Sequence, residues 1–523
     1  MVKQSGSDKR TRPNVLIFCV DQMRADHIGC AGNPVVRTPN LDRLAARGTL
    51  FSRAYCNNPI CMPARAGMFT GLLPRDHGVR INGQALRKDL PTLPRVLADA
   101  GYRTHATGKL HLTPWVPKVS PPDTSTYPEC MEYWNDGSIV EFPEPYYGFQ
   151  TVDFVGGHTS YAYGEYVPWL KERGGDPADL TEKRALEQSS TQLDCYKMAV
   201  PEELHYNRYI ADSTIRAIED SAADDAPPFF AWCSFPDPHH PFAPPAPYCD
   251  MYDPAEMPPP ARREGELDDL PPVYRRIISG QVKPHNCDNS AISDEDYRQI
   301  LALTYGMVTH IDTEVGRVLD ALDRTGECDN TIVAFISDHG DMMGDHRLFY
   351  KGLYTFRGCV NIPLIMSAPG MQAGRATNAL VSQIDLMPSV LDLCGIPVPG
   401  SEWEEQEAAF ERGFEAPLNL RPGRSWKGLL DGSVDSIRDS VVIENDDPTS
   451  GYNARALVTD THRLTVYPGT EGGELFDLQN DPDELHNLWY DPTHSELRSQ
   501  LLRKLLDDYS RSTPFYPIPP WNA

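Results

Sequence analysis

At 523 residues, with 40% hydrophobic and 9% aromatic content, the chain can bury a large core and exceeds the size of one small domain. Its formal net charge of −26 excludes the basic surface that a nucleic-acid backbone requires. No run of roughly 18 apolar residues occurs, so no membrane-spanning helix is expected, and Met1–Arg10 has no signal-peptide apolar region, which points to a cytoplasmic location.

Asn14–Val20 is a continuous apolar run ending at Asp21, the pattern of a strand buried on both faces in a parallel sheet. Such sheets carry their chemistry at the carboxyl ends of the strands, which makes Asp21 a candidate; a carboxylate that only caps the next turn is the plain alternative. Leu41–Gly48 predicts a short helix, capped by Asn40 and stopped by Gly48. Cys61-Met62-Pro63-Ala64-Arg65 then opens a helix, because Pro63 suits a first turn and Gly71 supplies a C-cap. Cys61 stands at the positive helix end, with Arg65 one turn on and facing back toward it. Alone, this pattern serves equally as a buried cysteine at an ordinary helix start. Thr92–Ala100 predicts a helix, followed by a turn at Gly101 and a short strand that leaves through Gly108-Lys109-Leu110-His111.

Residues 112–200 are weakly periodic and read as insertion loops over a binding cleft, with His158 and nearby tyrosines in reach of it. Tyr206–Asp220 predicts a helix, and Phe229–Phe235 a buried strand running into Pro238-His239-His240-Pro241. The proline-rich residues 243–290 suggest a surface arm or an oligomer contact. Ser293 caps a long helix that ends at Gly326, with Ile300, Leu303, Met307, Ile311, Val315, Val318 and Leu322 as its core stripe. Thr331–Ser337 is another buried strand, ending at Asp338-His339. From about residue 431 the texture changes to alternating strands, Ser440–Glu444, Arg455–Thr459, Arg463–Tyr467 and Glu474–Asp477, closed by a helix over Ser495–Tyr509. The fold class is therefore α/β: a large mixed, mostly parallel sheet sandwiched by helices, with a smaller antiparallel subdomain. The expected division is 1–430 for the catalytic domain, with insertion loops at about 112–200 and 243–290. Residues 431–523 form the subdomain, ending in an extended apolar tail, Pro514–Trp521, that packs at home or on a neighbouring subunit. The 12 cysteines include no C-x-x-C pair, and most of them read as plain thiols in a reducing compartment.

Two buried strands thus end in acids, Asp21 and Asp338, with His339 beside the second. Two carboxylates and an imidazole make an oxygen and nitrogen site for a divalent cation. Arg65, Lys109, His111, His239 and Lys351 add cationic or basic groups at strand and loop exits. A metal inside such a ring suits a tetrahedral oxyanion ester and its transition state.

The motifs Cys61-x-Pro63-x-Arg65 through Thr70-Gly71, Gly101-Tyr102-x-Thr104-x-x-x-Gly108-Lys109-x-His111 and Pro238-His239-x-Pro241-Phe242 follow one another in order. Ser337-Asp338-His339-Gly340-Asp341 with Gly344-Asp345-His346, Lys351, and the closing Glu474–Leu478 with Asp481-Pro482 and Asn487-Leu488 complete the series. From about residue 14 to 490 the chain resembles the formylglycine-dependent sulfatases of the alkaline-phosphatase superfamily. The resemblance implies an alkaline-phosphatase-like fold and oxidation of Cys61 to formylglycine by a formylglycine-generating enzyme. The hydrated aldehyde would attack sulfur and expel the alcohol, and its second hydroxyl would re-form the aldehyde and eject sulfate. By the same resemblance Asp21, Asp338, His339 and the modified Cys61 hold one divalent metal ion. Arg65 and Lys109 steady the diol oxygens, His111 is the base for collapse, and His239 and Lys351 hold the sulfuryl oxygens, one of them serving the leaving oxygen. A homo-oligomer, dimer or tetramer, is expected.

One departure bears on the metal. Many members carry consecutive aspartates at the first metal strand and Asp-Asn or Asp-Asp at the second, where this chain has Asp21-Gln22 and Asp338-His339. That variant resembles the phosphonate monoester hydrolase and choline sulfatase relatives. A neutral Gln22, not expected as a ligand, and an imidazole make the site softer, so Mn²⁺ competes with the favoured Ca²⁺. Lys109 and His111, which the phosphonate branch lacks, favour a small or aryl sulfate monoester; phosphonate monoester or phosphodiester hydrolysis at the same site is the alternative. A non-catalytic binding protein, or a metal-free cysteine hydrolase with Cys61 activated at its helix end, are the readings from other classes.

Overall fold

The computed structural model describes residues 12–116, 123–188, 194–222, 226–399 and 422–511. Met1–Arg10, Pro121-Pro122 and the tail Pro514–Trp521 lie outside the described residues. The frame is a nine-stranded sheet among the described residues, in the order β9-β2-β8-β7-β1-β6-β3-β4-β5. Its strands are β1 (Asn14–Val20), β2 (Thr49–Phe51), β3 (Arg103–Gly108), β4 (Thr151–Gly156), β5 (Tyr163–Gly164), β6 (Phe229–Ser234), β7 (Thr331–Ser337), β8 (Leu364–Ser367) and β9 (Arg375–Thr377). Strands β7, β1, β6, β3 and β4 run parallel, while β8 and β5 turn antiparallel at either side.

Every residue of β1 is buried, and its side chains alternate between two cores. Val15, Ile17 and Cys19 face α2 (Cys61–Thr70) and α3 (Leu93–Asp99), whereas Leu16, Phe18 and Val20 face α1 (Pro39–Arg47), α4 (Tyr206–Glu219) and α5 (Asp294–Thr325). Burial on both faces is what the continuous apolar runs require. Helix α5 starts in a capping box, in which Ser293 Oγ accepts from the Asp296 N–H at 3.1 Å and Asp296 Oδ2 accepts from the Ser293 N–H at 2.8 Å. It ends at Gly326, whose φ of 74° only glycine adopts freely.

Three sequence expectations change. Asn40 does not cap α1: its N–H and that of Leu41 donate to Asp312 of α5, at 3.1 and 2.8 Å, so the cap comes from another element. The stretch 112–200 is not loop throughout, because β4 extends the parallel sheet beside β3. The stretch 243–290 is not a surface arm: Val273, Tyr274 and Ile277 are buried in the core, and Tyr274 Oη meets Tyr467 Oη at 2.9 Å.

Strands β10 (Ser440–Asp447), β11 (Tyr452–Thr459), β12 (His462–Val466) and β13 (Gly473–Asp477) form an antiparallel sheet. Val442, Leu457, Leu464 and Leu475 meet Leu501 and Leu505 of α6 (Ser495–Arg511) on one face. Val441, Ile443, Ala456, Val458 and Phe476 join the large core on the other. Among the described residues the cysteines form no disulfide. Among the described residues no helix is long and apolar enough to cross a membrane.

Candidate active site

Register brings the strand ends together. Val20 pairs with Ser337, Cys19 with Ser234, and Ser234 with Gly108, so Asp21, Asp338 and Lys109 emerge along one edge. At Gly108 a Cβ would stand 2.0 Å from the Ser234 carbonyl oxygen, and φ is +91°, so only glycine lets Lys109 leave the sheet here. The start of α2 brings Cys61 to the same edge, beside Asp21 and His339.

Ligand atoms of Asp21, Cys61, Asp338 and His339 lie within 4.8 Å of one another, and all four residues are buried. Cys61 Sγ is 3.2 Å from His339 Nε2 and 3.7 Å from Asp21 Oδ1. His339 Nδ1 donates to the Gly340 carbonyl at 2.9 Å, which turns Nε2 toward the cluster, where it would give its lone pair to a metal ion. Two carboxylates, an aromatic nitrogen and a sulfur fit one divalent cation in charge and softness.

Arg65 does not point at Cys61, as the helix spacing suggested. Its Nε donates to Asp338 Oδ2 at 2.8 Å and its Nη2 stands 3.3 Å from Asp21 Oδ2. Its Nη1 donates at 2.9 Å to both the Lys109 carbonyl and Ser234 Oγ. Lys109 Nζ also pairs with Asp21 Oδ2. Burial alone would raise the Asp21 carboxyl, but Lys109 and, behind it, Arg65 hold it well below the usual range. Burial and Asp21 likewise push the Cys61 thiol up; Lys109, Lys351 and His339 outweigh them and lower it. Burial opposes the His339 imidazolium, and the Asp338 carboxylate overcomes it and raises the pKa.

Lys351 Nζ donates to Gln22 Oε1 and lies against His239 Nε2, both at 2.6 Å. Gln22 is therefore a lysine anchor, as its amide nitrogen is committed to Asp341 Oδ2 at 2.5 Å and lies 3.1 Å from His240 Nδ1. Burial, His158 and Lys351 hold His239 well below its ordinary pKa, leaving the ring neutral. His111 is likewise depressed by burial and by Lys109 and Arg65. Its backbone has φ +56°, a region costly for a side chain. The buried Glu129 carboxylate holds that conformation by accepting from the N–H groups of His111, Leu112 and Thr113 at 2.5, 2.7 and 3.1 Å. The indole of Trp115 stacks on the His111 ring, with centroids 3.9 Å apart.

All of the residues singled out by sequence, Asp21, Cys61, Arg65, Lys109, His111, His239, Asp338, His339 and Lys351, meet in this one region. Sequence reasoning missed Glu129 and Ser234, and it gave no role to His240 and Asp341, which stand inside the quoted motifs. Ser234 had a signal, as the polar end of a buried strand; Glu129 lies in a stretch without periodicity and had none.

The Sulfatase family model matches residues 13–396. An arylsulfatase of Clostridium perfringens (strain 13 / Type A) is 29% identical over 528 aligned residues, covering 95% of this chain and 94% of that protein. The multifunctional alkaline phosphatase superfamily protein PehA of Trinickia caryophylli is 29% identical over 520 residues, covering 95% of both. The crystal structure of the phosphonate monoester hydrolase of Agrobacterium radiobacter superposes with a TM-score of 0.77 at 26% identity, covering 96% of each chain.

Proposed function

The chain belongs to the sulfatase family, and from that premise we propose that it hydrolyses sulfate monoesters of aryl or other small alcohols at Cys61. The observation that carries this reading is the position of Cys61 Sγ, 3.2 Å from His339 Nε2 and in the combined fields of Lys109, Lys351 and His339. Such a ring attracts a tetrahedral oxyanion against the repulsion of the Asp21 and Asp338 carboxylates.

Asp21, Asp338, His339 and position 61 would hold one divalent ion, Ca²⁺ first and Mn²⁺ second. When bound, that ion supplies Lewis acidity and offsets the two carboxylates. Oxidised by a formylglycine-generating enzyme, position 61 supplies a hydrated aldehyde, one hydroxyl to take the sulfuryl group and a second whose deprotonation releases sulfate. Arg65 keeps the carboxylates apart and oriented through its four hydrogen bonds. Lys109 and Lys351 bind the anion, and the His239–Lys351 couple holds the proton that the departing alkoxide needs. His111, buried and neutral, is the base that accepts the proton in the release step.

The second reading, hydrolysis of phosphonate monoesters or phosphodiesters at the same residues, is favoured by the Asp338-His339 pair and by the likeness to a phosphonate monoester hydrolase. The test is kinetics on an aryl sulfate, a phosphonate monoester and a phosphodiester, with conversion of Cys61 measured by mass spectrometry. The sulfate should be preferred in kcat/KM. A phosphonate preference of about 100-fold, or about 2.7 kcal/mol, overturns the first reading for the second.

A further inference from the structure

Strand β4 delivers to the site a residue that the reaction above does not use. After Gly157, where φ is +74° and a Cβ would stand 1.9 Å from the Tyr161 carbonyl oxygen, the chain sets His158 against Lys109 and His239. His158 Nε2 lies 2.7 Å from Lys109 Nζ, and its ring lies flat on that of His239, with centroids 3.5 Å apart and planes at 4°. Trp115 leans on the same ring at 5.0 Å. The side chain keeps 13% of its surface exposed, while Asp21 beside it keeps none.

An ammonium group has only protons to give. His158 Nε2 therefore accepts from Lys109, and the neutral ring carries its own proton on Nδ1. His239 repeats the arrangement: its Nε2 accepts from Lys351 Nζ at 2.6 Å, and its Nδ1 donates to the His240 carbonyl at 2.5 Å. The site thus contains two lysine–histidine couples with their imidazoles face to face. Lys109 is tied to Asp21, and Lys351 to Gln22.

We propose that His158 is a positioning residue for ester cleavage, fixing Lys109 Nζ through its Nε2 and holding the His239 ring in plane through the stack. The inference rests on the reading of the site as an ester hydrolase. Its two contacts are separable. His158→Phe keeps an aromatic face for His239 and loses the acceptor for Lys109; His158→Gln keeps an acceptor and loses the face.

The experiment uses metal-replete protein with Cys61 conversion and thermal stability matched to wild type. Both variants should lower kcat about 10- to 100-fold, with a smaller rise in KM, since general acid help of this kind is typically worth about 10²–10⁴-fold. The loss in His158→Gln should be greater for alkyl than for nitrophenyl sulfates, because a poor leaving group depends on an aimed His239–Lys351 couple. In His158→Phe the loss should be the same for both. A readout without turnover is calorimetric binding of orthovanadate, a tetrahedral anion that accepts five-coordinate geometry; its affinity should fall about tenfold or more in both variants. Wild-type vanadate affinity in both variants, or a change confined to KM, overturns the positioning role. An inactive wild type whose vanadate binding is weakened by both substitutions removes the proposed function and leaves the positioning role standing.

Discussion

Arg65 lets two carboxylates share a fully buried site. Its planar fork reaches Asp338 and Asp21 while its remaining protons go to the Lys109 carbonyl and Ser234 Oγ. A lysine cannot occupy that geometry, and Arg65→Gln leaves Asp21 to Lys109 and Asp338 to the N–H groups of Gln22 and His339. Breaking a buried pair in this way costs about 3–5 kcal/mol, and the metal-free variant should be destabilised on that scale. A divalent ion compensates the same carboxylates, so saturating Ca²⁺ or Mn²⁺ should raise the Tm of Arg65→Gln by more than it raises that of wild type. Equal increments would mean that the acids do not depend on Arg65. Residues of this kind are legible in sequence because their place is set locally: Asp21 and Asp338 end buried strands, and Cys61 begins a helix. Gln22 and His158 are not, since what each touches is decided by Lys351 and Lys109 on other elements.

Between elements, Asn57 joins the loop that precedes Cys61 to two other parts of the chain. Its Nδ2 donates to the Val442 carbonyl of β10 at 2.8 Å, and its Oδ1 accepts from Ser382 Oγ at 2.7 Å and from the Ile384 N–H at 3.3 Å. The Glu444 N–H returns to the Asn57 carbonyl at 2.8 Å. Asn57→Ala strands three buried groups on those two segments, each worth about 1–3 kcal/mol. The denaturant midpoint should fall and kcat should fall with it, because the start of α2 loses its tether; Asn57→Asp, which keeps the acceptor, should sit between. A lower midpoint with unchanged kcat would show that the tether serves stability alone. Long elements with a clean period, such as α5 and β7, are readable from the amino-acid sequence alone. Strand β4 is not, because Thr151–Gly156 is short, half-buried in its first half and enclosed by proline and tyrosine. The α1 cap is not either, since Asp312 is 271 positions from the N–H of Leu41 that it accepts.

Across the whole molecule, buried titratable groups give stability two opposed dependences on pH. Burial lowers His27 to about 4 and His77 and His310 to about 3, so the unfolded chain binds more protons there; their contribution is complete above about pH 6.5 and is lost as pH falls toward those values. Buried acids act in the reverse sense. Glu444 is raised to about 8 by burial, against the pull of Arg455 and reinforced by Asp76, and among the described residues neither carboxylate oxygen has a hydrogen bond. Its folded pKa exceeds the unfolded value near 4.5, so the native state holds the proton more tightly. The advantage is whole below that unfolded value and disappears as pH climbs through 8, where the native state must carry a buried carboxylate at a cost of up to a few kcal/mol. Glu444 is on β10, where the antiparallel sheet packs on the larger core, a contact that alternation in Ser440–Glu444 announces only as one buried face. Glu444→Gln resembles the protonated acid without its titration. It should match wild-type stability near pH 5 and exceed it at pH 9, measured by denaturant midpoint at both values. An equal gain at both pH values would show that Glu444 is already ionised in the folded protein at pH 5.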